Sequence, residues 1–535
     1  MSGAGGRIGR APRGVWLFAA AFALATTLPF LVGAAKAPPG GSFTGSAAET
    51  LRVDYHSYLA KLQLGAMGEW GERSQFTAEA HPSVFTRTFY IALGHAARLT
   101  GLPVVLTYQL ARVVAAVALV VMIWRFAARF LPGDRARWTA LLLATVVGGL
   151  GWLLYVFAPA SASEVAPIEF WMPEAFTFST AMSFPHFAAT VALALAFFLV
   201  FEAWLESPNW RGAAWAALIV VFISWLQPFE PLLTGLTAGI VALGALATRR
   251  LRWSQALMLT PVAVAHGIGP LYHYVALSSH PVWRAETVQN VNLSPPPVYY
   301  LLAYLWLLAP ALVGLWGARR DTRLLLPAVW LLATAALLYA PLQMQRRFIL
   351  GAQVPLAVLA ASGLERLYAG WMRRGGARKG WRLLLAGALL LSAITHLFLL
   401  VSALEALDPA AHPKLFISAD EETALAWLRA QPPETLVFGA FDAGNKVAAH
   451  SGRRVYVGHW IETPDFEAKA ARVAQFFDLA GMADAERLSL LIEAGVDYVW
   501  YDAAARELGG WEPSRAAFLR PVLATETVTV YEVAP

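Results

Sequence analysis

Apolar residues in this chain come in repeated runs of roughly 18–25, and that feature limits the available folds more than any other. A run of this length matches the reach of a helix across a hydrocarbon layer, where every backbone N–H and C=O must be satisfied within the segment. Of the 535 residues, 58% are hydrophobic and only 14% charged, against about 25% charged in an ordinary soluble protein. The formal net charge of +6 sits in short basic clusters between the runs. That pattern sets orientation in a membrane and is not the basic stripe of a nucleic-acid binder, so no nucleic-acid partner is expected. The chain has no cysteine, which excludes disulfides and thiolate metal sites.

Arg7, Arg10 and Arg13 precede the first run, 15–35, and assign the N-terminus to the cytoplasm. Arg129, Arg135 and Arg137 follow a second run, 104–127, so residues 36–103 form a large first outer loop. Within it "HPSVFTRTFYIALGHAARL", 81–99, is amphipathic and reads as an interfacial segment. Further runs lie near 138–160, 183–204, 212–228, 231–247, 254–275, 298–317, 323–341, 348–368 and 382–403, about eleven spans in all. Clusters around Arg250, Arg320 and Arg374 then fall on the inner side. The expected fold is a multi-pass α-helical protein of the inner or plasma membrane over residues 1–403. Residues 404–535 are expected as a soluble extracytoplasmic α/β domain. There, β-rich runs ("TLVFGA", "RRVYVGH", "DYVWYD", "VTVYEV") alternate with helical ones such as "ADEETALAWLRA".

This topology gathers polar residues on the outer face: Asp54, Tyr55, His56, His81, Glu164, Glu169, Glu174, His186, Glu230, Arg346 and Arg347. Ionisable groups at a membrane surface mark substrate paths. A guanidinium pair suits phosphate, which its planar fork binds through charge-assisted hydrogen bonds. A carboxylate can act as general base, while Tyr55, Tyr58, Trp70, Phe170 and Trp171 offer rings for stacking on sugars. The His, Asp and Glu residues show no metal-ligand spacing, so neither a metal nor another cofactor is expected. The C-terminal domain lacks the glycine-rich and nucleophile motifs of independent catalysis. Its "SGRRVYVGHWIETPDFEAK", with Arg453, Arg454, His459, Trp460 and Glu462, reads either as a strand edge before a helix cap or as an acceptor-recognition loop.

The order of these elements carries a resemblance. A first span, an outer loop with an early acid, an interfacial His-Pro and "LAR" opening the second span are followed late in the chain by "RRFILGAQVPLAVLAASGLE". This resembles the GT-C superfamily of polytopic glycosyltransferases, in particular its protein-mannosyltransferase- and aminoarabinose-transferase-like members. The resemblance implies a polyprenyl-phosphate sugar as donor, held in membrane lipid, and a glycan, lipid or protein acceptor. It implies that Asp54 is the catalytic or acceptor-binding carboxylate. His81, Pro82, Ser83 and Val84 match an interfacial His-Pro-Pro-Leu element. Arg347, Phe348, Ile349 and Leu350 match an Arg-Tyr-Leu-Leu-Pro-like element, with Pro355 displaced. Tyr55 stands where many members carry a second acid, a role left to Glu169 or Glu174. No Asp-X-Asp occurs in the second outer loop, against a metal-dependent reading. The expectation is inverting displacement with Asp54, Glu169 and Glu174 catalytic and Tyr55, His56, His81, His186, Arg346 and Arg347 binding substrate. A lipid-linked sugar transporter or flippase, or a non-catalytic assembly scaffold, is the alternative.

Overall fold

Among the described residues, six helices are long and apolar enough to cross a membrane: Arg13–Ala35, Val104–Phe130, Pro185–Glu206, Glu230–Ala247, Gln345–Arg373 and Arg378–Glu405. They belong to a computed structural model that describes residues 11–46, 48–158, 166–318 and 322–534. The pair Pro297–Ala303 and Leu305–Trp316, bent by 87°, makes a seventh if counted as one span. Trp210–Leu226 and Thr322–Leu337 are apolar but shorter. The chain is a multi-pass membrane protein. Arg7, Arg10, Glu164, Arg319 and Arg320 lie outside the described residues.

Local sequence explains where these helices begin. Phe184 is extended because a residue before proline avoids the helical region, and Pro185 takes the first helical position, where its missing N–H costs nothing. Asn209 caps the next helix by accepting from the Gly212 N–H at 2.8 Å.

The expected spans 298–317, 212–228 and 323–341 are the bent pair and the two shorter helices, and two more are broken. The run from 138 is not continuous: helix Gly133–Thr145 ends before "VVGGLG", and a short helix, Trp152–Phe157, follows. The side chain of Glu169 fills the space that a Cβ at Gly149 or Gly151 would need. Its Oε1 accepts from the Gly151 N–H at 2.5 Å, and the Thr395 hydroxyl donates to the Gly149 carbonyl at 2.7 Å. Hydropathy registers the apolar residues of this stretch but not the backbone that its glycines expose. The run 254–275 divides into the turns Trp253–Ala256 and Leu257–Leu259 and the helix Thr260–Ser278.

The chain divides into two compact units. The first comprises Met1–Leu28, Ala111–Tyr272 and Asn292–Ser402. In it the helices Leu305–Ala318 and Gln353–Arg373 approach backbone to backbone. A Cβ on Gly363 would collide with the Pro310 carbonyl oxygen, and one on Gly314 with that of Leu359. Small residues permit this contact between membrane helices, whose association rests on van der Waals packing more than on the hydrophobic effect.

The second unit comprises Pro29–Leu110, His273–Val291 and Ala403–Pro535. Strands β1 (Ser42–Phe43) and β2 (Phe416–Ile417) form an antiparallel pair. A five-stranded sheet holds β3 (Leu436–Phe438), β4 (Arg454–Val455), β5 (Tyr498–Tyr501), β6 (Leu519–Ala524) and β7 (Thr529–Val533) in the order β4-β3-β5-β7-β6. β3 runs parallel to β4 and β5, and β7 antiparallel to β5 and β6. Side chains alternate across the pleat. Phe438 and Val499 enter one core with Phe476, Phe477 and Leu491, while Val437 and Trp500 enter the other with Leu425, Val447 and Val530. Ala60 and Phe76 complete the second core from the other end of the sequence. All four β-rich runs contain strands; β6 and the helix Phe441–Ser451 lie outside the sequence expectation.

Gly363→Ala would drive a methyl group into the Pro310 carbonyl, an overpacking cost of about 1–3 kcal/mol. Detergent-solubilised protein carrying it should melt several degrees below wild type. Gly239→Ala, with no atom within 4 Å of the new Cβ, should leave the melting temperature unchanged or slightly raised.

Candidate functional site

Asp54 lies in the first turn of helix Arg52–Met67, where a carboxylate favours the helix dipole. Its side chain remains 35% exposed, and Oδ1 accepts from His459 Nε2 at 3.0 Å. One and two turns further along the helix, Ser57 and Lys61 both bind the buried Glu462 carboxylate. The Lys61 ammonium is also 3.8 Å from Glu72, and Arg87 pairs with Glu72 and Glu286. Arg87 takes up this bridge from a left-handed backbone, φ 46°, an arrangement that costs about 1–3 kcal/mol and persists because its partners hold it. Burial pulls the Lys61 pKa down. Burial pushes Glu462 up, but Lys61 and then Arg87 outweigh it and hold the carboxyl well below the usual range.

Other expected ligands in this unit serve its interior. Tyr55 is buried with its ring edge-on to Tyr108 at 4.7 Å. His56 is fully buried and meets His450 edge to face at 5.6 Å, with neither ring nitrogen hydrogen-bonded among the described residues. His81 donates from Nδ1 to the Glu79 carbonyl at 2.8 Å and accepts at Nε2 from the Ser74 N–H at 2.9 Å. Both of its nitrogens are committed to backbone, and burial lowers its pKa. Tyr55 and His56 thus pack in the interior of this unit, and His81 ties its loop together. Tyr58 and Trp70 stack on Tyr90 and His95, with centroids at 4.4 Å and 4.0 Å.

The first unit assembles a second constellation. Arg346 and Arg347 sit in the tight turn Gln345–Ile349, just before the helix that Gln353 opens. Gln353 fixes this junction by donating to the Leu143 and Val147 carbonyls at 3.2 Å and 2.7 Å and accepting from the Thr177 N–H at 2.8 Å. Arg347 is ion-paired with Glu174, whose side chain is only 2% exposed, and lies over the Phe187 ring at 5.8 Å. His186, in the first turn of Pro185–Glu206, feels the same guanidinium. Arg346 lies 5.3 Å from the Trp171 ring centroid, a cation–π distance. Tyr300 is within electrostatic reach of Arg346 and Glu174. Glu169 faces the glycine segment instead, where burial raises its pKa, and Phe170 packs edge-on to Tyr155 and Phe398. Of the two expected secondary acids, Glu174 joins the arginines.

The sequence reading passed over Ser57, Lys61, Tyr300 and Gln353 and gave His459 no link to Asp54. Spacing held one signal: positions 54, 57 and 61 fall on one helical face, and a lysine within "YLAKLQLGAM" needs a carboxylate partner if that helix is buried. Among the described residues, no three His, Asp or Glu side chains converge as a cation site.

No protein-family model and no curated protein matches the sequence. Solved structures match by shape. ArnT from Cupriavidus metallidurans bound to undecaprenyl phosphate aligns over 97% of this chain and 98% of its own, at 13% identity and a TM-score of 0.53. The Archaeoglobus fulgidus oligosaccharyltransferase in complex with Zn and sulfate aligns over 97% of this chain and 73% of its own, at 13% identity and a TM-score of 0.52. The chain has the GT-C fold. The mycobacterial arabinofuranosyltransferase AftD, as a mutant, aligns over 99% of this chain at 15% identity and a TM-score of 0.50, but this chain covers only 42% of it. At such identities the likeness is one of fold, and the arrangement of GT-C helices does not itself assign the side chains.

The buried histidines give a pH signature. Burial, then the His450 and Arg52 charges, holds His56 well below its ordinary pKa; burial, then Arg429, brings His450 down to about 3. Below about pH 6.5 the unfolded chain takes up protons that the folded chain refuses, so stability falls with pH from there toward the folded pKa. Unfolding followed by tryptophan fluorescence should show this loss between about pH 6.5 and 4.5. In His450→Gln the slope should be smaller by about one proton per molecule.

Proposed function

We propose that this protein is a membrane glycosyltransferase that moves a sugar from a polyprenyl-phosphate donor to an acceptor on the extracytoplasmic side. The observation that carries the reading is the pair of arginines. Arg346 and Arg347 are held between aromatic rings and a nearly buried carboxylate at the mouths of two apolar helices. Guanidinium groups so placed suit a lipid phosphate, and the ArnT structure with undecaprenyl phosphate is a precedent for that ligand on this fold. In this reading the N-terminus is cytoplasmic, and residues 404–535, with the rest of the second unit, are extracytoplasmic.

In the proposed reaction the acceptor hydroxyl attacks the anomeric carbon from the face opposite the phosphate. The bond from that carbon to the phosphate oxygen breaks as the new glycosidic bond forms, so the configuration inverts. Asp54 orients the hydroxyl and takes its proton. Arg346 and Arg347 stabilise the charge gathering on the departing phosphate, with Glu174 as the resting partner of Arg347. The guanidinium groups take the place that a divalent cation would otherwise fill.

Purified protein given radiolabelled polyprenyl-phosphate hexoses and pentoses, with membrane extract as acceptor source, should transfer one of them. Asp54→Asn should lower kcat by about 10²–10⁴-fold and Arg347→Ala by about 10²–10³-fold, with EDTA without effect. Absence of turnover with any donor, or full activity in Asp54→Asn, would point to a transporter or a scaffold. Orientation has its own check, since the native chain has no cysteine. In intact cells the exposed Thr100→Cys should react with an impermeant thiol reagent and the exposed Ser207→Cys should not.

A further inference from the structure

We infer that His459, on the loop Gly458–Thr463, is the positioning residue for Asp54, so that the C-terminal segment orients the carboxylate on which transfer depends. The inference rests on the transferase reading above.

Hydrogen bonding fixes the role of this histidine. The Ile461 N–H donates to His459 Nδ1 at 3.2 Å. A nitrogen that accepts carries no proton in the neutral ring, so the hydrogen is on Nε2, the atom 3.0 Å from Asp54 Oδ1. His459 therefore donates to the carboxylate. With its one lone pair engaged by the backbone, it is poorly placed to take the proton itself. The ring stacks on Trp460 at 5.4 Å and meets Phe76 at 5.9 Å, and only 5% of the side chain is exposed. Asp54 accepts from this ring and keeps about a third of its side chain exposed.

The loop cannot drift from the helix. Glu462, three residues after His459, holds Lys61 and Ser57 on the helical face that carries Asp54. The Gly458 N–H donates to the Thr463 hydroxyl at 3.1 Å, and a Cβ on Gly458 would strike Phe76. From outside the loop, the Gln289 amide donates to the Ile461 and Thr463 carbonyls at 2.8 Å and 3.0 Å. Backbone, ion pair and amide together set the position of one imidazole.

The test uses the full-length protein and whichever polyprenyl-phosphate sugar the wild type turns over. His459→Phe keeps a ring but no donor; kcat should fall by about 10²-fold while donor KM stays within about twofold. His459→Gln, which returns an N–H near the Nε2 position, should recover most of the loss. Adding His459→Phe to Asp54→Asn should cost nothing further, because both substitutions remove the same function. Should His459→Phe melt below wild type, His459→Asn takes its place, since it fits the space but falls short of Asp54. Full kcat in these loss variants, equal impairment by glutamine, or losses that multiply with Asp54→Asn would overturn the positioning role and leave the transferase standing. A wild type that turns over no donor would remove both.

Discussion

The ammonium group of Lys61 is fully buried, and much of the second unit is arranged to neutralise it. Glu462 reaches it from the C-terminal segment and Glu72 from the stretch after its own helix; Glu72 is shared with Arg87, which in turn holds Glu286. Three stretches far apart in sequence, 61–87, 286 and 462, are thereby drawn to one chain of alternating charge. Such a chain contributes little net stability, because desolvation offsets most of the Coulomb attraction. Losing one member is another matter, costing about 3–5 kcal/mol through the uncompensated charge left behind. The network specifies register: it determines which turn of helix Arg52–Met67 faces the loop Gly458–Thr463, and so where Asp54 stands.

That dependence explains how much of the molecule was legible in the sequence. Spans such as Val104–Phe130, Pro185–Glu206 and Arg378–Glu405 were readable within a few residues, because the bilayer's demand for apolar length is written locally. The segment after Thr145 was not, because its helix ends for a tertiary reason: Glu169 needs the space that Gly149 and Gly151 leave open. The β-rich runs gave four strands of the sheet, whereas the participation of Ala60 and Phe76 in its core had no local trace.

The candidate site divides in the same way. Residue chemistry with orientation nominated Asp54, Glu169, Glu174, Arg346 and Arg347 together with Tyr55, His56, His81 and His186. It could not tell that His56 lies in the interior while His81 is bonded to backbone, since the two imidazoles look the same in a string of letters. Nor could it pair Asp54 with His459, 405 positions away. Both histidines have physical roles, His81 in closing the turn with Ser74 and Glu79, His56 in filling the interior beside His450.

The ion pair between Arg347 and Glu174 bears on how a GT-C fold of this kind would use its arginines. The nearly buried Glu174 carboxylate would be costly without a cation, and the partly exposed Arg347 supplies one. In the proposed reaction the donor is a phosphodiester with one negative charge, and the lipid phosphate that leaves is a monoester approaching two. The attraction to Arg346 and Arg347 therefore grows as the sugar–oxygen bond stretches. An interaction stronger in the transition state than in the bound donor lowers the barrier, whereas one equal in both would only tighten binding. Glu174, the resting partner of Arg347, must give up that guanidinium whether donor or transition state is bound, so the differential stabilisation comes from the charge that grows on the departing phosphate.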